Sequence, residues 1–224
     1  MMKFIIITKK KWDPNNFKKL SKNIIVLNKI IPNKIKKISP KIIFFIHWSK
    51  FIDKSIFKNF LCIQFHTSNL PKGRGGSPIQ NQIMLNIKKT KISAFKVSES
   101  LDAGPICLQE NFSLNGNALS IFKRIEAKSI KMIKKIIKTK NLSFKKQKGK
   151  PSFYRRRKPS DSKLNISKPM TINKLYDFLR MLDAPDYPKA FIKLNKFIFA
   201  FNDIKINKGK INAKVEITKN ENYN

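Results

Sequence analysis

The chain contains two histidines, and each closes a short apolar run. His66 ends the run at residues 61–66, and His47 ends the run at residues 41–47. Open α/β sheets bind their ligands at the carboxyl ends of their strands, so both imidazoles are placed where a ligand could lie. An imidazole there can stabilise developing negative charge or move a proton. On spacing alone, a histidine held in a structural turn is an equal alternative.

A glycine-rich loop follows His66. Positions 67–78 hold three of the seven glycines of the chain, which are Gly73, Gly75 and Gly76. Such clustering predicts a tight turn and a close approach of the backbone to a ligand. Ser77 and Pro78 then cap and begin a predicted helix, whose free N–H groups point back towards the loop.

A carboxylate lies in a second loop, at residues 100–105. If Asp102 meets His66, it would orient the imidazole and stabilise its charged form. An isolated aspartate in a loop is more often a turn former or a helix cap. The His66–Asp102 pair is therefore a hypothesis that also requires the fold to bring the two loops together.

Short β-branched runs alternate with helical patterns, which predicts an α/β fold with a mostly parallel sheet. A small antiparallel β appendage of three or four strands is expected over residues 189–217. We expect strands at residues 3–8, 24–27, 41–47, 61–66, 92–97 and 105–114. We expect helices at residues 13–21, 52–60, 77–88, 117–138 and 171–182.

The predicted domains are a catalytic domain over residues 1–150, a linker with a helix over 151–188, and a short C-terminal β subdomain over 189–224. No apolar run approaches the ~20 residues of a membrane span, and the apolar N-terminal stretch is too short for a signal peptide. A cytoplasmic protein without membrane contact is expected. Cys62 and Cys107 lack the spacing of a metal site, so we expect reduced thiols and no metal.

The formal net charge of +36 has two explanations. Such a charge is typical of proteins that bind nucleic acid. However, lysine is spread evenly beside abundant isoleucine and asparagine, and all three have AT-rich codons, so a base bias of the genome explains the pattern as well. A non-catalytic basic nucleic-acid-binding protein is therefore an alternative, with Arg155, Arg156 and Arg157 as its local candidate.

The two loops together resemble those of the folate-dependent formyltransferases, which include tRNA-acting and sugar-nucleotide-acting branches. The matching residues are His66, Ser68, Leu70, Pro71, Arg74, Gly75, Pro78 and the run Leu101, Asp102, Ala103, Gly104. One position departs from the family pattern, because Gln64 stands where the family has its catalytic asparagine. Either Gln64 replaces it, or Asn69 or Asn81 supplies the amide, or the activity is weakened.

The resemblance implies a Rossmann-like domain that moves a formyl group from 10-formyltetrahydrofolate to an amine. The implied catalytic residues are His66, Asp102 and Gln64. The residues implied to bind the folate are Trp48, Ser49, Leu101, Ala103 and Gly104. The residues implied to bind the acceptor are Ser68, Arg74, Gly75, Gly76, Gln80 and Asn81.

The acceptor that the sequence favours is the amine of a nucleotide-linked aminosugar. Residues 180–191 resemble the sugar-acting branch, and residues 189–224 leave little room for a large tRNA-gripping domain. Formylation of methionyl-tRNA is the alternative within the family. A β appendage of this kind often pairs with a copy of itself, so a homodimer is also expected.

Overall fold

A computed structural model describes residues 2–18 and 20–220 and groups the chain into two compact units. The first unit consists of Met1–Pro78, Lys89–Ser113 and Phe122–Tyr154, and the second of Ile79–Lys88, Leu114–Ile121 and Arg155–Asn224. Contacts between segments distant in sequence set this grouping. The predicted boundaries at residues 150 and 188 divide the chain by sequence alone and stay a prediction.

The strands of the first unit are β1 (Phe4–Thr8), β2 (Ile24–Leu27), β3 (Ile42–Ile46), β4 (Cys62–His66), β5 (Arg74–Gly75), β6 (Lys89–Lys96), β7 (Ile106–Ser113) and β8 (Phe153–Tyr154). Six of them form one sheet in the order β2-β1-β3-β4-β6-β7. Strands β1 to β4 are parallel, and β6 and β7 are antiparallel to their neighbours. The predicted α/β fold with a mostly parallel sheet is confirmed.

Continuous apolar runs explain why β1 and β3 lie at the centre of this sheet. Every residue of both strands is buried, as expected for parallel strands that are covered on both faces. Strand β4 lies between β3 and β6, so its carboxyl end opens where the sheet changes from parallel to antiparallel pairing.

The helices are α1 (Asn15–Lys18), α2 (Pro32–Ile38), α3 (Lys54–Phe57), α4 (Pro78–Met84), α5 (Ala118–Lys138) and α6 (Ile172–Arg180), with a 3₁₀ turn at Pro159–Ser162. The long predicted helix at residues 117–138 is confirmed as α5, whereas α1 and α3 are shorter than predicted. Helix α2 was not predicted. Its signal was present, because Ile31, Ile35 and Ile38 have helical spacing and Pro32 occupies the first turn.

The second unit contains an antiparallel sheet of β9 (Ala190–Leu194), β10 (Phe197–Asn207) and β11 (Lys210–Lys219) in the order β11-β10-β9. It confirms the predicted C-terminal β appendage, with three strands. Asp183 supports it, because its carboxylate accepts hydrogen bonds from the backbone N–H groups of Asp203 and Ile204, at 3.1 Å each. These bonds hold β10 at the irregularity in its pairing with β11.

A buried ion pair also supports the second unit. Arg180 donates to the Asp177 carboxylate at 2.6 Å and to the carbonyls of Leu114 and Gly116 at 2.8 and 2.6 Å. Both side chains are almost completely buried, and burial of a charge is tolerated only with such pairing. The block around Arg180, which resembles the sugar-acting branch, therefore has a structural role within this unit.

Within the described residues, no helix is long and apolar enough to cross a membrane. The same residues contain no group of three or more histidine, cysteine, aspartate or glutamate side chains able to hold a metal ion. Both cysteines are free thiols. Burial raises the pKa of Cys62 to about 12 and that of Cys107 to about 11, so both stay protonated at neutral pH.

Glu126 is a buried carboxylate of α5 that the helical pattern did not single out. It is 0% exposed. Its oxygens accept hydrogen bonds from the backbone N–H groups of Trp12 and Asp13, at 2.9 and 3.0 Å, and from the Asn16 amide at 3.0 Å. Trp12 in turn stacks on Phe122, with 4.5 Å between ring centroids. One side chain thus fixes the whole loop that follows β1.

We expect Glu126→Ala to lower the free energy of unfolding by about 3 kcal/mol, because it leaves two backbone N–H groups without their acceptor. Glu99→Ala is the matched control, since Glu99 is 57% exposed and forms surface ion pairs with Lys54 and Lys58; it should change stability by less than about 1 kcal/mol. Denaturant unfolding of both variants measures the difference. Equal losses would contradict the structural role of Glu126.

Candidate active site

The site is built on the carboxyl end of β4, where His66 is 7% exposed. The His66 Nε2 lies 2.7 Å from the carbonyl oxygen of Gly73. Because a carbonyl can only accept, Nε2 carries a proton and donates. Nδ1 is then the ring nitrogen that faces the rest of the site.

Asp102 reaches the site from the loop between β6 and β7, and it is also 7% exposed. Its Oδ2 accepts a hydrogen bond from the Gly75 N–H at 2.9 Å and lies 3.6 Å from His66 Nδ1. The structure thus brings together the imidazole and the carboxylate that the sequence analysis paired. At 3.6 Å the contact is electrostatic rather than a hydrogen bond, and it attracts when the pair carries a proton on Nδ1.

The Asp102 backbone is in the left-handed region, with φ of 48°. Aspartate tolerates this region better than most residues. The following loop is tight, because a Cβ added at Gly104 would lie 1.7 Å from the Lys96 carbonyl oxygen. The loop therefore has little freedom to adopt another course, which holds the carboxylate in place.

Two glycines of the 73–76 turn are required by the protein's own packing. Gly73 and Gly75 have φ of 71° and 99°, and a Cβ would lie 2.3 Å from the Tyr154 ring and 2.5 Å from the Tyr154 carbonyl oxygen, respectively. Strands β5 and β8 pair here in parallel. The glycine cluster predicts a close approach of the backbone to a ligand; at these two positions the close approach is to Tyr154.

The segment at residues 145–154, which spans the predicted boundary at residue 150 between the catalytic domain and the linker, lines the site. Ser152 accepts from the Gly73 N–H through its Oγ and from the Arg74 N–H through its carbonyl, at 2.9 Å each. Gln147 contacts both loops through its amide. Neither residue had a signal in the sequence, because a polar side chain in a polar run carries no periodicity.

Gln64 and His66 are two residues apart on β4, so both side chains lie on one face of the sheet. The Gln64 amide nitrogen lies 3.4 Å from the Trp48 carbonyl oxygen, a long hydrogen bond. Asn69 is exposed, and Asn81 donates to the Arg155 carbonyl within the second unit. Of the three amides, that of Gln64 shares the sheet face of His66 by its position in the strand.

The loop after β3 presents two polar atoms that have no hydrogen-bond partner among the described residues. They are His47 Nε2 and Trp48 Nε1, and both are buried. The Trp48 ring packs on Phe45, with 5.8 Å between centroids, so it also serves the core. Burial lowers the pKa of His47 to about 4, so the ring is neutral at pH 7. His47 contacts the rings of Trp12 and Phe122, whereas Trp48 packs on a different core cluster, so each unpartnered atom needs a ligand group or an ordered water of its own.

With this geometry in place, comparison with known proteins identifies the family. Residues 9–161 match the family model described as formyl transferase, and residues 159–218 match that of the methionyl-tRNA formyltransferase C-terminal domain. The chain belongs to the formyl transferase family. The predicted resemblance is thereby confirmed.

Individual relatives agree with the family assignment. The structure of a methionyl-tRNA formyltransferase from Clostridium thermocellum is 40% identical, with a TM-score of 0.91 over 98% of this chain and 100% of that chain. The methionyl-tRNA formyltransferase of Fusobacterium nucleatum is 33% identical over 159 residues, which is 68% of this chain and 48% of that protein. The matches span about a quarter to a half of the length of such curated relatives.

A more distant structure shares the fold alone. HypX from Aquifex aeolicus, solved in complex with tetrahydrofolic acid, is 12% identical with a TM-score of 0.71 over 93% of this chain and 40% of that chain.

The remaining predicted site residues differ in their surroundings. Ser68 is buried, and its Oγ has no partner among the described residues. Gly76 donates its N–H to the Tyr154 carbonyl. Ser49 and Leu101 are exposed, and Ala103 is half-buried. Gln80 is buried in the second unit, where its amide donates to the Met181 carbonyl at 3.3 Å, which gives it a structural partner.

His47 should make the stability of the protein depend on pH. Since its folded pKa of about 4 lies below the ordinary 6.5, the unfolded chain binds a proton that the folded protein excludes, and stability falls as the pH drops from 6.5 towards 4. The test variant is His47→Asn, because asparagine tolerates the left-handed φ of 50° at this position. Between pH 6.5 and 5 its free energy of unfolding should fall by about 1.5 kcal/mol less than that of the wild type. Parallel stability profiles from urea unfolding would contradict this.

Proposed function

We propose that this chain transfers the formyl group of 10-formyltetrahydrofolate to the amine of methionyl-tRNA. The observation that carries the proposal is the His66–Asp102 pair, held at the carboxyl end of β4 by the Gly73 carbonyl and the Gly75 N–H. An imidazole, a carboxylate and a backbone donor meet there in a nearly dry setting. Acyl transfer to nitrogen needs such a set, because charge develops on one oxygen while a proton leaves the nitrogen.

His66 and Asp102 take different roles in this proposal. His66 Nε2 is committed to Gly73, so Nδ1 is the ring nitrogen available to the formyl oxygen; when Nδ1 carries a proton, it donates to the negative charge that develops there as the amine attacks. Gln64 supplies a second donor from the same sheet face; donors of this kind are typically worth ~3–4 kcal/mol each. Asp102 accepts the proton that the attacking nitrogen loses and returns it to the folate nitrogen that departs.

The folate is proposed to contact the loops at residues 47–49 and 101–104. The buried Trp48 N–H and His47 Nε2 offer a donor and an acceptor that the described residues leave without partners. The pterin ring of a folate carries donors and acceptors along its edge, and a ligand that satisfies either atom recovers the free energy lost by burying it. Leu101, which is 62% exposed, would gain a hydrophobic contact with the ligand.

The choice of acceptor differs from the one favoured by the sequence. Residues 159–218 match a model of the methionyl-tRNA formyltransferase C-terminal domain, and a relative of that name is 40% identical over nearly the whole chain. The likeness of residues 180–191 to the sugar-acting branch no longer decides the choice of acceptor, because Arg180 and Asp183 form structural hydrogen bonds within the second unit. A net charge of +36 also favours a polyanionic acceptor.

The non-catalytic alternative is less well supported. Its local candidate was the Arg155–Arg157 run, but Arg155 pairs with Asp161 at 2.9 Å and the Arg157 guanidinium lies 5.9 Å from the centroid of the Phe178 ring. Two of the three arginines thus have partners within the second unit.

The acceptor is tested by supplying 10-formyltetrahydrofolate together with charged initiator tRNA or with aminosugar nucleotides. We expect formyl-methionine on the tRNA, measured by mass spectrometry after hydrolysis. Formylation of a sugar nucleotide alone would overturn the choice of acceptor and keep the enzyme. Absence of transfer to either, with tRNA binding that weakens steeply with salt, would favour the nucleic-acid-binding alternative.

Asp102→Asn should reduce turnover by at least ~10²-fold, because it removes the proton acceptor while the amide oxygen can still accept from Gly75. Folding should be retained, as measured by thermal unfolding. Asp53→Asn is the matched control, since Asp53 caps α3 at the surface, and it should keep wild-type rates. Near-wild-type turnover of Asp102→Asn would remove Asp102 from the mechanism.

A further inference from the structure

We propose that Gln147 is a positioning residue of the proposed reaction, which holds Arg74 as an uncompensated cation for a phosphate of the acceptor and fixes the Asp102 loop beside it. The inference rests on the proposed function for the identity of the acceptor. It rests on the geometry of residues 74, 102–104 and 147 for everything else. All of these residues belong to the first compact unit.

Every hydrogen-bonding position of the Gln147 amide is used. Its Nε2 donates to the carbonyl oxygens of Asp102 and Gly104, at 2.8 Å each. Its Oε1 accepts from Arg74 Nε at 3.2 Å and from Arg74 Nη2 at 2.7 Å. A glutamine amide has two N–H donors and one carbonyl oxygen with two lone pairs, so these four bonds define both its position and its orientation.

The bonds of Gln147 to Arg74 and to the Asp102 carbonyl are part of a ring that includes the candidate catalytic carboxylate. From the Arg74 side chain the ring passes through Gln147 to the Asp102 backbone, then through the Asp102 carboxylate to the Gly75 N–H at 2.9 Å, and back along the chain to Arg74. A displacement of the Arg74 loop or of the Asp102 loop therefore strains the hydrogen bonds of the whole ring. Gln147 is the member of this ring that comes from outside both loops.

Because the Gln147 amide is neutral, Arg74 keeps its positive charge while it is held in place. Among the described residues the Arg74 guanidinium has no carboxylate partner, whereas Arg155 and Arg180 each pair with an aspartate. An amide oxygen orients a guanidinium without neutralising it, and Arg74 is only half-buried. An oriented, uncompensated guanidinium beside a reaction centre is suited to bind a phosphate oxygen.

The role of Gln147 is separable from the attachment of its own segment. The backbones of Ile106 and Lys145 exchange two hydrogen bonds of 2.8 and 2.9 Å, and Ser152 bonds Gly73 and Arg74. These contacts hold residues 145–154 on either side of Gln147. Its neighbours Lys146 and Lys148 are exposed. A substitution of Gln147 should therefore change the site more than the fold.

The decisive variant is Gln147→Glu, which keeps the length of the side chain and adds a negative charge that pairs with Arg74. It also removes the N–H groups that donate to the Asp102 and Gly104 carbonyls, so kcat should fall as well. We expect KM for the RNA acceptor to rise about tenfold, and the slope of log binding constant against log salt to fall by about one, as for the loss of one phosphate contact. KM for the formyl donor should not change. Arg74→Gln should give the same slope, and the double variant should add no further loss.

Gln147→Ala tests the second half of the proposal. It leaves Arg74 charged but mobile and frees the Asp102 loop, so kcat should fall about tenfold, a loss of the size expected for misplacement by less than 1 Å. Lys148→Ala, the exposed neighbour, should match the wild type. Thermal unfolding of all variants distinguishes a loss of stability from a displacement of Arg74 and the Asp102 loop in a folded protein.

A readout without catalysis keeps this inference separate from the proposed function. Inorganic phosphate titrated into the wild type should shift the Arg74 Nε–H signal in NMR, and the shift should be lost in Gln147→Glu but kept in Lys148→Ala. If the wild type transfers no formyl group, the proposed function fails and this titration still decides on Gln147. Equal salt slopes, or equal phosphate binding in wild type and Gln147→Glu, would overturn the inference.

Discussion

The hydrogen bond from the Gly75 N–H to the Asp102 carboxylate joins two loops that are 27 residues apart in the chain. It places the carboxylate 3.6 Å from the imidazole of His66, and the other features of the site are arranged so that this bond can form. The left-handed backbone at Asp102 turns its side chain towards Gly75. Gly104 then allows the chain to pass close to the Lys96 carbonyl, where a side chain would not fit. Without this bond, an imidazole and a carboxylate would remain two unrelated groups at strand ends.

The 145–154 segment explains why the glycine turn keeps its shape. Strand β8 pairs with β5, and the Tyr154 ring and carbonyl occupy the volume that side chains at Gly73 and Gly75 would need. Glycine here allows two parts of the same chain to approach each other, which then leaves the Gly75 N–H directed at Asp102. The same segment carries Gln147 between the two loops, so a stretch with the composition of a connector forms part of the site wall.

The few acidic residues have uses that their number alone does not suggest. The chain has only 13 against 49 basic residues, yet Glu126 and Asp183 are buried and accept hydrogen bonds from the backbone of other segments. The half-buried Glu110 contacts two lysines of α5, which lower its pKa below the ordinary value. Because acids are scarce, many cations of this chain must lack a carboxylate partner. Arg74, which has none within the described residues, differs from an ordinary surface cation mainly in its fixed orientation.

The sequence by itself determined the alternation of strands and helices, the two loops and the residues His66 and Asp102, because apolar runs, glycine clusters and loop carboxylates are local signals. Tertiary structure alone decided that Gly73 and Gly75 accommodate Tyr154, that Gln80 is buried against the Met181 carbonyl, and that Gln147 links Arg74 to the Asp102 loop. These facts depend on which segments meet across the fold. A polar side chain has no spacing that reveals its partner before the chain has brought the two together.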